Sequence, residues 1–131
     1  MGVVYQPGQE LDENDLKIFF RDRDGLPMTT LLVKYTILYY DCCTLVWDPI
    51  SDTYPLDATA SVTPGKWWVD WAIPAGQNVG PYQVQWQFRE TALLPWQMTK
   101  MTFGIVHYCT TSPVRTAEVS DLPDTPIVIV R

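Results

Sequence analysis

Gly65-Lys66-Trp67-Trp68-Val69-Asp70-Trp71 and, fifteen positions further on, Gly80-Pro81-Tyr82-Gln83-Val84-Gln85-Trp86 both read Gly-x-aromatic-x-Val-x-Trp. Their apolar residues fall at every second position, the side-chain period of a strand with one buried face. A helix would space them by three and four. The two runs are therefore read as strands of one all-β domain, over about 66–73 and 81–89, with a loop from Ala75 to Gly80 between them. Pro81 is tolerated at a strand start, where its missing N–H does no harm.

Other strands follow outward from this pair. Leu16 to Arg21 places Leu16, Ile18 and Phe20 on one face, and Asp24-Gly25 supplies the positive φ of a tight turn after it. Leu31 to Tyr40 puts Val33, Tyr35, Ile37 and Tyr39 on one face. Thr44 to Trp47 reads as a short third strand, with Asp48-Pro49-Ile50-Ser51-Asp52 as a turn, and residues 53–64 as a connection. Gln97 to Val106 is the last core strand, with Met101, Phe103 and Ile105 inward. No helical period of three turns occurs. About seven short strands with turn signals between them predict an antiparallel, immunoglobulin-like β-sandwich. Its bounds are 15–106, with an extended N-terminal arm over 1–14 and a C-terminal extension over 107–131.

The extension carries Pro113, Pro123 and Pro126 and ends in Ile127-Val128-Ile129-Val130-Arg131. Four β-branched residues at a chain end either fold back onto their own sheet or add to a neighbour's edge. These four, with Val3, Val4 and Tyr5 of the N-terminal arm and the outward Trp68, are the candidate contact residues.

Bulk properties narrow the function. A chain of 131 residues is one domain by length and buries a core without staples. The net charge of −6 and pI near 4.5, with no Lys/Arg cluster, argue against nucleic acid as a partner. No apolar run approaches the ~18–20 residues of a bilayer span, and Met1 to Pro7 lacks the pattern of a secretory signal, so no membrane partner is expected. The odd count of Cys42, Cys43 and Cys109 argues against a disulfide framework. If Cys42 and Cys43 lie on a strand they point to opposite faces, one buried and one exposed. His107 lies two residues from Cys109, but no Cys-x-x-Cys knuckle accompanies them, so no metal or other cofactor is expected.

Catalytic patterns are equally sparse. His107 is the sole histidine, and Ser51, Ser61, Ser112 and Ser120 lie in loops or tail without a nucleophile elbow. Asp48, Asp52 and Asp57 read as solvated turn residues rather than a glycosidase pair. No enzyme activity is expected. The aromatics, which make up 13% of the chain, admit three readings: a protein contact, core overflow, or sugar stacking by Trp47, Trp68 and Trp96. The strand at 81–89 sets Tyr82, Val84, Trp86 and Phe88 against Gln83, Gln85, Gln87 and Arg89, a face suited to water or to a polar protein contact.

Several ordered pieces, from Leu16 to Val106, carry a family likeness. They are the Asp24-Gly25 turn, Val-x-Tyr-x-Ile-x-Tyr (Val33 to Tyr39), and a Pro-Gly-x-Trp strand (from Pro64) ending in Trp-x-Ile-Pro (Trp71 to Pro74). Gly-x-Tyr-x-Val-x-Trp (Gly80 to Trp86), Arg-Glu-Thr-Ala (Arg89 to Ala92) and Phe-Gly-Ile-Val (Phe103 to Val106) complete the series. Over about two-thirds of its length the chain resembles small immunoglobulin-like proteins encoded among the structural genes of tailed bacteriophages. Cys42-Cys43 and the Pro-rich tail depart from that pattern. The resemblance implies a virion component made in the host cytoplasm, whose partners are other virion proteins and copies of itself. The head–tail neck is the first placement, a capsid cement or decoration protein the second, and a carbohydrate-binding sandwich the third reading. It brings no catalytic residues.

Overall fold

The two copies of the repeated pattern lie in different sheets: the second is strand throughout, whereas the first is strand only over Lys66–Trp68 and not over the whole of 66–73, with Ala72 making an isolated bridge to Glu10. The computed structural model describes residues 3–107 and 126–130. One sheet has the order β1 (Val3–Tyr5), β9 (Gln97–Ile105), β8 (Gly80–Arg89), β3 (Leu32–Asp41), β4 (Val46–Pro49), with β5 (Leu56–Asp57) also paired to β3. The other has the order β10 (Ile127–Ile129), β2 (Lys17–Arg21), β7 (Lys66–Trp68), β6 (Thr59–Ala60). No helix occurs among the described residues. The molecule is an all-β, sandwich-like pair of packed sheets.

Alternation decides which side chains fill the space between the sheets. From the smaller sheet come Ile18, Phe20 and Trp67, with Leu16 and Val69 flanking them. From the larger come Val33, Tyr35, Ile37, Tyr82, Val84, Trp86, Phe88, Phe103 and Ile105. Edge-on and tilted ring contacts knit the layers, with Phe20 5.5 Å from Trp67 and 4.8 Å from Phe88 between ring centroids. The expected inward sets on β2 and β8 hold, and those on β3 and β9 hold with Tyr39 and Met101 only half-buried against the core; Trp71, beyond the end of β7, is half-buried as well.

The glycine that opens each pattern has its own role. Gly65 sits at φ 78°, and a Cβ there would lie 2.8 Å from the Phe20 carbonyl oxygen. Its own carbonyl accepts a hydrogen bond from the Phe20 amide at 2.8 Å, so β7 and β2 approach too closely for any side chain. Gly80 sits at φ 141° with the Tyr39 ring against it, 3.2 Å from where a Cβ would be.

The sheets are mixed, which corrects the expectation of a purely antiparallel sandwich of about seven strands. β1 runs parallel to β9, pairing Val3 with Phe103 and Tyr5 with Ile105. β10 runs parallel to β2, pairing Ile127 with Phe19 and Ile129 with Arg21. Short connections force the consecutive pairs β3–β4 and β8–β9 to be antiparallel. β2–β7 and β3–β8 join strands far apart in the chain and are antiparallel as well, whereas the terminal strands, also paired at long range, run parallel.

Residues 1–14, expected as an arm, are fastened to the sandwich wherever they are described. Beyond β1, the Gly8 amide donates to the Ile73 carbonyl at 2.8 Å and the Leu11 amide to the Trp71 carbonyl at 2.9 Å, and Leu11 is buried. The β3–β4 turn also differs from expectation. The Asp41 carboxylate accepts the Cys43 amide at 2.8 Å, its carbonyl accepts the Leu45 amide at 2.7 Å, and Leu45 takes φ 61°. Cys42 and Cys43 thus occupy a hairpin tip, both exposed, rather than opposite faces of a strand. β4 starts two residues later than read, at Val46, and runs through Asp48-Pro49.

Candidate interaction face

Of the predicted contact residues, those of β10 are divided by strand alternation. Val130 is only 4% exposed and Val128 packs half-buried on the core, whereas Ile127 and Ile129 point outward at 57% and 48% exposure. The Phe19 amide donates to the Pro126 carbonyl at 3.1 Å, and the Val130 amide to the Arg21 carbonyl at 2.7 Å. Residues of even number in this strand therefore aim their backbone groups at β2. Ile127 and Ile129 aim theirs at the open edge.

Trp68 lands on the same outer face. Trp67 points into the core, so its neighbours Lys66 and Trp68 point away from it, opposite Phe19 and Lys17 of β2. Across this face the rows read Ile127, Phe19, Lys66 and then Lys17, Trp68, Thr59, with Ile129 beside Arg21. Lys66 is 7% exposed, its Nζ lying 6.0 Å from the Phe19 ring centroid and 3.7 Å from a Glu13 carboxylate oxygen. The result is a surface of exposed isoleucine and half-buried aromatic groups bordered by Lys17 and Arg21. It carries predicted residues from two distant stretches of the sequence, Trp68 on β7 and Ile127 and Ile129 on β10, with β2 between them.

β1 belongs elsewhere. Tyr5 is 4% exposed and packs edge-on to Phe103, with ring centroids 5.9 Å apart. Burial, with the charges of Asp15 and Asp12 second and third, pushes its phenol well above the ordinary range. Val3 and Val4 are half-buried on the β9 edge of the larger sheet. Val3, Val4 and Tyr5 thus sit in a different sheet from the face of Trp68, and Tyr5 turns inward.

The three tryptophans considered for sugar stacking are dispersed. Trp47 pairs with Tyr40 on β3–β4, ring centroids 5.1 Å apart. Trp96 stacks on the Arg89 guanidinium at 4.0 Å, and Arg89 pairs with Leu32. Leu32 and Tyr40 are the two ends of β3, roughly 26 Å apart at ~3.3 Å per residue. Trp68 is on the other sheet. A groove of about 300 Å³ beside Arg89 and Trp96 is lined also by Lys34, Asp57 and Trp67, with Lys34 bonded to Asp57 at 2.9 Å.

The residues weighed for catalysis do not converge. Asp57 is engaged by Lys34, Asp48 lies on β4, and Asp52 lies in the turn beyond it. Ser51 bonds Thr53, and Ser61 reaches Glu13 at 3.4 Å. His107 is exposed. Cys109, Ser112 and Ser120 lie outside the described residues, and among the described residues no group of His, Cys, Asp and Glu could hold a metal ion.

Sequence reasoning missed Phe19, Lys17 and Arg21 as members of the face. The signal was present: Lys17-x-Phe19-x-Arg21 is the alternate set to Leu16, Ile18 and Phe20. The Arg89–Trp96 stack had no local signal, because seven positions separate its partners across an irregular crossing. No family model, curated protein or solved structure matches the chain.

Proposed function

We propose that this chain is a non-enzymatic building block of a tailed-bacteriophage particle, with a component of the head–tail neck as first placement. Its partners are other virion proteins and copies of itself, and it works by surface burial rather than by chemistry. The observation that carries this reading is the outer face of the smaller sheet, where Ile127 and Ile129 stand on a strand edge that is open among the described residues, with Phe19 and Trp68 on the two strands behind them. Exposed isoleucine on a bare edge is what soluble monomers avoid and what assembling subunits use.

The finer description as immunoglobulin-like has two supports. Strand order β2-β7-β6 opposite β9-β8-β3-β4 corresponds to B-E-D opposite G-F-C-C′ of that fold, with β10 in the place of strand A. Tyr82, near the start of the F-equivalent strand, donates its hydroxyl to the Asn78 carbonyl at 2.6 Å, the arrangement known as a tyrosine corner. This fold and the motif series from Leu16 to Val106 together favour the virion class.

A capsid cement protein is the second placement within that class, since it needs the same kind of face. A carbohydrate-binding module is the weaker alternative, because Trp47, Trp68 and Trp96 form no common platform.

The test is mass spectrometry of particles banded on a density gradient from a culture producing the protein. A fixed stoichiometric ratio to the other particle proteins supports the reading. A chain abundant in the lysate but missing from banded particles contradicts it.

A further inference from the structure

The open edge of β10 has a sequence of its own kind. Ile127-Val128-Ile129 reads the same in both directions. Among the described residues the N–H and C=O groups of Ile127 and Ile129 have no partner on the side away from β2, and their side chains lie together on the outer face. Val128 holds its backbone toward β2 and its side chain toward the core.

Two of the other edges are blunted: β4 carries Asp48-Pro49, and β6 has only two residues.

We propose that the β10 edge receives the β10 strand of a second copy of this chain, antiparallel, about a two-fold axis through Val128. This rests on the assembly reading above and names its partner. In that register Ile127 exchanges both backbone hydrogen bonds with Ile129 of the second copy, and Ile129 with its Ile127. The two Val128 residues form the close, non-bonded pair between them. Each outward isoleucine meets an isoleucine, and each inward valine a valine, so the palindrome suits a second copy better than an unrelated segment. The two four-stranded sheets become one. Three residues alone fall below the ~1,000 Å² of a stable interface. The pairing is therefore weak in isolation and reinforced when other particle contacts hold the copies together.

The edge geometry supplies a selective test. Ile129→Pro removes an N–H that points away from β2, leaving the bonds within the chain intact. Sedimentation equilibrium of the full chain from micromolar to millimolar concentration is expected to show a reversible monomer–dimer equilibrium. Ile129→Pro is expected to weaken it roughly tenfold or more. If that variant loses its own β10 docking, seen as loss of Val130 amide protection, Ile127→Lys decides instead, because residue 127 is exposed and a lysine blunts the edge without touching the core. A wild-type chain that stays monomeric to millimolar concentration overturns the proposal. So does a dimer that the deciding variant leaves unchanged. The latter result together with presence in banded particles would remove this edge while leaving the virion reading in place.

Discussion

The two terminal strands are built alike and finished differently. β1 and β10 are each three residues long, each runs parallel to its neighbour, and each forms an edge, one in either sheet. β1 invests in the interior: Tyr5 is buried against Phe103, and the Tyr5 carbonyl accepts the Val106 amide at 2.9 Å. β10 buries Val130 but leaves two isoleucines bare. The difference separates a strand that closes its own domain from one that closes its domain and still offers a surface.

The largest expected effect falls on β1. Tyr5→Ala removes a buried aromatic side chain and is expected to cost about 3–5 kcal/mol in chemical denaturation, as other core aromatic truncations do. A cost under about 1 kcal/mol would mean that β1 is a loosely attached arm after all.

Alkaline pH sharpens the same point. The Tyr5 phenol titrates above its ordinary 10.0, and those of Tyr35, Tyr54 and Tyr82 are also raised, with burial as the leading cause in each. The folded state keeps protons that the unfolded chain loses, so their stabilising contribution is complete below pH 10 and is lost as pH rises beyond it. Tyr5→Phe is expected to make that decline shallower in melts run across the alkaline range. An unchanged slope would place the Tyr5 hydroxyl in solvent.

A smaller loss is expected at the buried end of β10. Val130→Ala removes two methyl-sized groups at roughly 0.8 kcal/mol each, about 1.5 kcal/mol in all, and its effect should centre on β10 and the adjoining β2 amides. The smallest effect belongs to the outward residues. Ile127→Ala or Ile129→Ala is expected to change monomer stability by no more than about 0.5 kcal/mol, measured at dilute concentration. A loss comparable to that at Val130 would show that the isoleucines already serve their own chain.

How much of this was legible in the sequence follows the range of the interactions involved. Strands with strict alternation, such as Tyr82-x-Val84-x-Trp86-x-Phe88 and Leu16-x-Ile18-x-Phe20, were readable with their buried faces, because local period alone fixes which side chains turn inward. The open choice for Ile127 to Val130 resolves toward the chain's own sheet in this structure, a matter of distant pairing with β2 that no local pattern contains. The parallel direction of β1 and β10 was hidden for the same reason. The hairpin at Cys42-Cys43 was misplaced because the Asp41 carboxylate closes the turn through a side-chain bond, and a continuing strand would carry the same residues. Trp68 was readable as outward from alternation, whereas its company with Ile127 depends on β2 lying between them.

Amide hydrogen exchange by NMR on the full chain, at dilute and at high concentration, tests the contrast most directly. At dilution the amides of Phe19 and Val130 are expected to be protected while those of Ile127 and Ile129 exchange freely, and raising the concentration is expected to protect Ile127 and Ile129 and to leave Tyr5 and its neighbours unchanged. Free exchange at Val130 under dilute conditions, or Ile127 and Ile129 amides that stay unprotected at every concentration, would contradict it.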